Sequence, residues 1–246
     1  MQNNGIPIIV EDSVVSFDFD RYETYLWKLL EEKRFGIVRS MYQFPSAVMM
    51  PGEVIENQEF SPRLVNSKLS IDVMIAAVLN TSKVFIFLKS MQHAYVITWQ
   101  HLNYEMNREK EKYTIPVELW SKGLFCAVYD ETVKRWYRGK ILRFLRGKQK
   151  DKVSVYLIDF GAALTTSRSD VKLLPKEFAD LKQQAITVAL NGIQQVENTK
   201  EHNSLVAKEV VDEFTAEPYY WLKCWFLPQN DAGVHEVILK DENIAK

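Results

Sequence analysis

Three short stretches in the middle of the chain decide its reading: Gly123-Leu-Phe-Cys-Ala-Val-Tyr129, Trp136-Tyr-Arg-Gly-Lys-Ile141 and Val153-Ser-Val-Tyr-Leu-Ile-Asp-Phe-Gly161. Each is rich in β-branched and aromatic residues, and polar or charged residues separate them, which is the pattern of consecutive strands. Strands are expected over 124–129, 136–144, 153–158 and 162–166. Four or five short strands in about 60 residues predict a small barrel. Strand alternation places Tyr156 and Leu157 on opposite faces of the third stretch.

Outward from this centre the periodicity changes. Upstream, 69–79 and 84–88 are apolar and β-prone around the turn chemistry of Asn80-Thr81-Ser82, so a hairpin is expected. Tyr95, Trp99, Leu102 and Met106 recur three or four apart, predicting a helix over about 91–112 with a charged, solvated end. Residues 44–62 carry Pro45, Pro51, Gly52 and Pro62 and read as a connecting stretch and a boundary. Before it, 6–10 and 14–19 are strand candidates. Tyr22, Tyr25, Leu26, Leu29 and Leu30 give 21–33 the spacing of an amphipathic helix. Downstream, Pro175 followed by Phe178, Leu181, Ala185 and Val188 predicts a helix, and Val206, Val210 and Phe214 predict another over 200–214. Closing strands are expected over 219–227 and 234–239, and no repeat of 20–50 residues is present.

Composition excludes several classes. The 246 residues are 47% hydrophobic and 26% charged, ordinary globular usage. Thirty-one Lys and Arg against 32 Asp and Glu leave a net charge of −1, so attraction to nucleic acid or membrane needs a local patch. One patch exists: Lys134, Arg135, Arg138, Lys140, Arg143, Arg146, Lys148, Lys150 and Lys152 put nine cations in nineteen residues, opposed only by Asp151. A solvated hairpin explains them, and so does a track for single-stranded nucleic acid or an acidic partner. Two cysteines, Cys126 and Cys224, cannot form a disulfide framework and read as buried thiols of a reducing compartment. With no long apolar span and no signal-like start, a cytosolic chain without membrane partner is expected. His93, His101, His202 and His235 form no ligand pair, and no nucleotide-binding or nucleophile motif occurs, so no metal, cofactor or enzyme activity is expected. Phosphodiester cleavage needs clustered carboxylates; Asp72 and Glu105 can be picked out, and nothing in the sequence brings them together.

The three central stretches resemble the Tudor barrel, whose pattern runs approximately Cys-x-Ala-x-Tyr/Phe, Trp-Tyr-Arg-Ala and Val-x-Phe-Ile-Asp-Tyr-Gly-Asn. Leu173-Leu-Pro-Lys-Glu-Phe178, Gln184-Ala-Ile and Leu190-Asn-Gly-Ile193 are similar to the segment C-terminal to the barrel in extended Tudor domains. The resemblance covers about 65–246. It implies an α+β fold: a Tudor barrel (113–172) inserted into a staphylococcal-nuclease-like, OB-type subdomain (65–112 and 173–246), with 1–64 as an N-terminal extension.

That family implies a site and a partner. Its domains bind Arg-rich N-terminal tails of PIWI-type Argonautes in the germline small-RNA pathway and gather in perinuclear granules (nuage). An aromatic cage holds a methylated guanidinium, each ring contributing about 0.5–2 kcal/mol. Carried over, the cage positions fall on Tyr129, Tyr137, Leu157 and Phe160, and the rim Asn position falls on Ala162. Three rings remain, one wall is aliphatic and the side-chain acceptor is replaced by a methyl group. Methylation-independent binding of an Arg-containing peptide is therefore expected; a residual dimethylarginine reader, or single-strand binding through 134–152, are the alternatives. Arg138 and Asp159 match a structural ion pair of the family. Whether 1–64 packs, recruits a partner or mediates self-association stays open.

Overall fold

The computed structural model describes residues 8–11, 14–17, 47–80, 82–192 and 220–241. The helices expected over 21–33 and 200–214 lie outside the described residues. Near the start, β1 (Ile8–Glu11) and β2 (Val14–Phe17) pair antiparallel.

Two β-structures come after them, each around its own core. The first is a closed five-stranded barrel in the order β10-β12-β11-β3-β4. It is built from β3 (Ile71–Asn80), β4 (Lys83–Leu88), β10 (Ile186–Leu190), β11 (Leu222–Gln229) and β12 (His235–Lys240). β10 runs parallel to β12; the other pairings are antiparallel. Val73, Ile75, Val84, Ile86, Val188, Cys224 and Phe226 fill its interior. β4 is buried on both faces. Val84, Ile86 and Leu88 point into the barrel, and the alternate residues Phe85 and Phe87 are buried on its outside.

The second is a five-stranded sheet in the order β8-β7-β6-β5-β9. Its strands are β5 (Phe125–Asp130), β6 (Arg135–Phe144), β7 (Lys152–Leu157), β8 (Ala163–Ser167) and β9 (Val171–Leu173). The four strands expected in this region are present within two residues of their expected ends, and β9 adds a fifth. All five are antiparallel to their neighbours.

Helix α1 (Gln92–Glu109) joins the two, matching the expected helix. Leu102 and Met106 enter the core of the second sheet, as do Val48, Met49, Met50 and Ile55. Residues 47–65 are thus bound to the body of the molecule: Val48 bridges to Pro175, Asn57 to Gln183 and Val65 to Phe226.

One expectation fails. The helix drawn from Pro175 to Val188 is a short 3-10 turn (Lys176–Ala179), an irregular link and strand β10. Apolar residues three or four apart fit one helical face, but Ile186 and Val188 at spacing two fit β10 equally. Tertiary hydrogen bonds from Arg138 to the link decide between them.

Candidate functional site

Arg138 on β6 is the hub that sets the site. It is 3% exposed, and all five of its guanidinium N–H groups are engaged. Nε donates to Asp159 Oδ2 (3.0 Å) and Nη2 to Asp159 Oδ1 (2.5 Å). Nη1 donates to the carbonyls of Phe178 (2.7 Å) and Leu181 (2.5 Å), and Nη2 to that of Lys182 (2.9 Å). Asp159 also accepts the Gln184 backbone N–H at 3.2 Å. A helix over 175–188 needs the carbonyls of Phe178, Leu181 and Lys182 for its own ladder. The buried guanidinium takes them instead, which holds the link irregular and welds it to the sheet.

The turn after β7 hangs from this pair. Leu157 N–H bonds the Ala162 carbonyl (2.8 Å), while the N–H groups of Phe160 (3.1 Å) and Gly161 (2.9 Å) return to the Leu157 carbonyl. Gly161 has φ +78°, and a Cβ there would lie 2.1 Å from Phe85 Cγ of the closed barrel. Phe85 therefore packs directly on the turn's backbone, and no side chain fits between them.

At this end of the sheet Tyr137 and Phe160 meet at right angles, ring centroids 5.4 Å apart. Both are half-buried, and burial, then the Asp130 carboxylate, pushes the Tyr137 hydroxyl above its ordinary pKa. Tyr129 lies opposite Trp136 across β5–β6 and leans on its ring at 5.1 Å. Leu157 is 9% exposed and belongs to the core, so it supplies a closed aliphatic wall. Ala162 is half-buried beside it and carries no side-chain acceptor. Tyr156 faces the other way and meets Phe85 (6.1 Å), as strand alternation requires.

Two residues at this mouth escaped the sequence reading. Tyr95 of α1 packs edge-on against Phe160 (5.9 Å) and Phe87 (5.3 Å), extending the aromatic line from the sheet to the closed barrel. Its helical spacing was visible, but not the direction of that face. Asp130, directly after Tyr129, puts a negative charge beside Tyr137.

On the far side of the same turn runs a cleft of about 980 Å³ between the two β-structures. Tyr156 and Ala163 line one wall, Leu79 and Phe85 the other, and both signs of charge border it, Glu56 and Glu59 against Lys83 and Lys140. Asp72 and Glu105 do not meet. Asp72 pairs with Lys223 (2.8 Å) and Lys89 (3.3 Å), and its pKa is lowered chiefly by the Lys223 hydrogen bond. Glu105 accepts from Tyr113 (2.8 Å) and Arg108 (2.9 Å). Among the described residues no group of three potential metal ligands converges, and no helix is long and apolar enough to cross a membrane.

Comparison with curated proteins finds no match. Solved structures show the same fold at low identity. The Drosophila melanogaster Papi extended Tudor domain superposes with TM-score 0.63 at 17% identity, covering 73% of this chain and 92% of that one. The third extended Tudor domain of mouse TDRD1, bound to a MILI peptide containing dimethylarginine, gives 0.60 at 15% identity, covering 77% and 88%. A mutant of the same Papi domain, in complex with an unmethylated Piwi N-terminal peptide, gives 0.59 at 17% identity, covering 73% and 92%. The Tudor domain family model matches residues 66–192, just over half of the sequence. The chain belongs to the Tudor domain family and has the architecture of its extended form.

Proposed function

We propose that this domain is a non-catalytic adaptor that binds an Arg-containing tail of a PIWI-type Argonaute without needing arginine methylation. The guanidinium enters between Tyr137 and Phe160, with Asp130 at the rim; Tyr129, paired with Trp136, lies on the neighbouring face of β5. The observation that carries this is the pairing of two fixed rings with an aliphatic wall at Leu157 and a methyl group at Ala162. Two rings attract a cation whether or not it is methylated, each by about 0.5–2 kcal/mol. A guanidinium whose charge is diluted by methyl groups depends more on a third ring and on a side-chain acceptor, and the latter alone is worth about 1–3 kcal/mol. The complex of a mutant Papi extended Tudor domain with an unmethylated Piwi N-terminal peptide supports this reading. On this reading the protein acts in perinuclear germline granules, with the Argonaute tails it binds.

Calorimetric titration with one Arg-Gly-rich peptide, unmodified and symmetrically dimethylated, tests the proposal. The unmodified peptide is expected to bind at least as tightly, and Tyr137→Ala to weaken it tenfold or more. Dimethylated peptide binding ten times more tightly overturns the methylation claim; an unchanged Tyr137→Ala overturns the site.

A further inference from the structure

The nine cations of residues 134–152 do not share one surface. Lys134 pairs with Glu131, Arg135 lies over Trp99 (5.7 Å), Arg138 is buried on Asp159, and Lys140 lies over Phe125 (5.2 Å). The other five, Arg143, Arg146, Lys148, Lys150 and Lys152, sit at the end of β6, on the β6–β7 loop and at the start of β7. That is the end of the sheet away from Tyr137 and Phe160. Arg168, after β8, joins them. Its backbone N–H donates to the Asp151 carbonyl (2.9 Å), and its guanidinium lies over both Phe144 (5.0 Å) and Trp120 (5.5 Å). Those two rings meet edge to face at 6.1 Å. All six cations are exposed, and none takes part in an ion pair among the described residues.

We propose that this end of the Tudor sheet is a second binding surface, and that its ligand is single-stranded nucleic acid. In a chain of net charge −1, six exposed cations against Asp151 on the loop and Asp170 beside Arg168 are a local excess that favours a polyanion. Arg168 separates a nucleic acid from an acidic peptide. Its guanidinium carbon lies 5.0 and 5.5 Å from the two ring centroids on an exposed side chain, so the planar cation is backed by aromatic surface. A base stacks on such a plane, and its N–H edge reaches phosphate. A run of carboxylates satisfies the charges but leaves the flat face unused.

The test is fluorescence anisotropy of the intact chain with a labelled 15-nucleotide oligo(U) RNA. Four to six phosphate contacts predict an affinity loss of about 50- to 300-fold between 50 and 200 mM salt. The variant Arg143→Glu/Arg146→Glu/Lys148→Glu, whose sites are all exposed, is expected to lose at least tenfold at 50 mM salt. Arg168→Lys keeps the charge and is expected to lose severalfold through stacking. Tyr137→Ala, at the other end of the sheet, is expected to leave RNA affinity unchanged while it weakens the Arg peptide, so the two proposals fail separately. The proposal is overturned by absence of binding at 50 mM salt, by charge reversal without effect, or by loss of RNA binding in Tyr137→Ala. It is also overturned by a 15-residue polyglutamate peptide competing as well as RNA, which would assign the surface to an acidic protein.

Discussion

Gly161 meets two demands at once: a left-handed backbone and a site where Phe85 occupies the space of any Cβ. Gly161→Ala is expected to cost about 2–4 kcal/mol, combining strain at positive φ with overpacking. The two parts separate in a cycle. With Phe85→Ala the clash vanishes and the strain stays, so urea denaturation should show the double variant less destabilised than the sum of the singles. The Ile-Asp-Phe-Gly motif was legible in the sequence, and so were Tyr137, Phe160 and the two departures at Leu157 and Ala162. The Phe85 contact was not, because alternation along β4 shows that Phe85 and Phe87 share a face without saying what covers it. A gain-of-function change tests the same turn. Ala162→Asn combined with Leu157→Tyr adds an acceptor and a ring, and is expected to raise affinity for dimethylated peptide at least tenfold in calorimetry. Leu157 is a core position, so the larger ring should also lower the unfolding midpoint by the equivalent of about 1–3 kcal/mol.

Two elements are fixed by single polar side chains in addition to their apolar contacts. Asn103 of α1 accepts the Trp136 N–H (2.9 Å) and donates to the Trp136 carbonyl (3.0 Å), so the helix pairs with β6 as a strand would. Trp136 Nε1–H adds a bond to Asn107 at 3.1 Å. The next residue is Tyr137, so this clamp sets the position of the ring proposed to bind the peptide. Asn103→Leu removes both backbone bonds inside the core and is expected to cost about 2–3 kcal/mol in urea denaturation. It should also weaken Arg-peptide binding although residue 103 lies outside the proposed contacts. The Arg138–Asp159 pair places the link before β10 in the same way. Periodicity could not predict it: a helix over 175–188 satisfies the apolar spacing, and only a guanidinium some forty residues upstream rejects it. Strands β3 to β8 and helix α1 were legible because their own side chains fill a core with period two or 3.6. Arg138→Lys keeps the charge but not the five-donor fork. It is expected to cost about 3–5 kcal/mol, as when a buried pair is broken, and to speed hydrogen exchange in 178–184.

Across the whole molecule, two cores are tied through Phe85 on Gly161, Tyr95 on Phe160 and the Arg138 link, and each core contains one free thiol. Cys126 lies in the Tudor sheet and Cys224 in the closed barrel, both fully buried. Burial pushes the Cys126 thiol well up and raises Cys224 to about 12, and it raises the Tyr156 hydroxyl between the two structures to about 12. In each case the unfolded chain gives up its proton first, near 9.0 for the thiols and 10.0 for the phenol. Below those values folded and unfolded forms bind the same protons and these groups leave stability independent of pH. Above them the unfolded form binds fewer, so the stabilisation falls as pH rises from about 9 towards 12. Circular dichroism in urea should show a midpoint that these groups leave level from pH 7 to 8.5 and that declines from pH 9 upward, less steeply in Tyr156→Phe. The thiols also report whether the two cores open together. If the interlock holds, alkylation at pH 8 labels neither in the native protein, and rising urea exposes Cys126 and Cys224 at one midpoint. Gly161→Ala strains that joint without touching either core, so it should shift both midpoints downward and separate them. Two midpoints already distinct in the unmodified chain would show that the closed barrel and the Tudor sheet are independent units and that the contacts at Phe85 only align them.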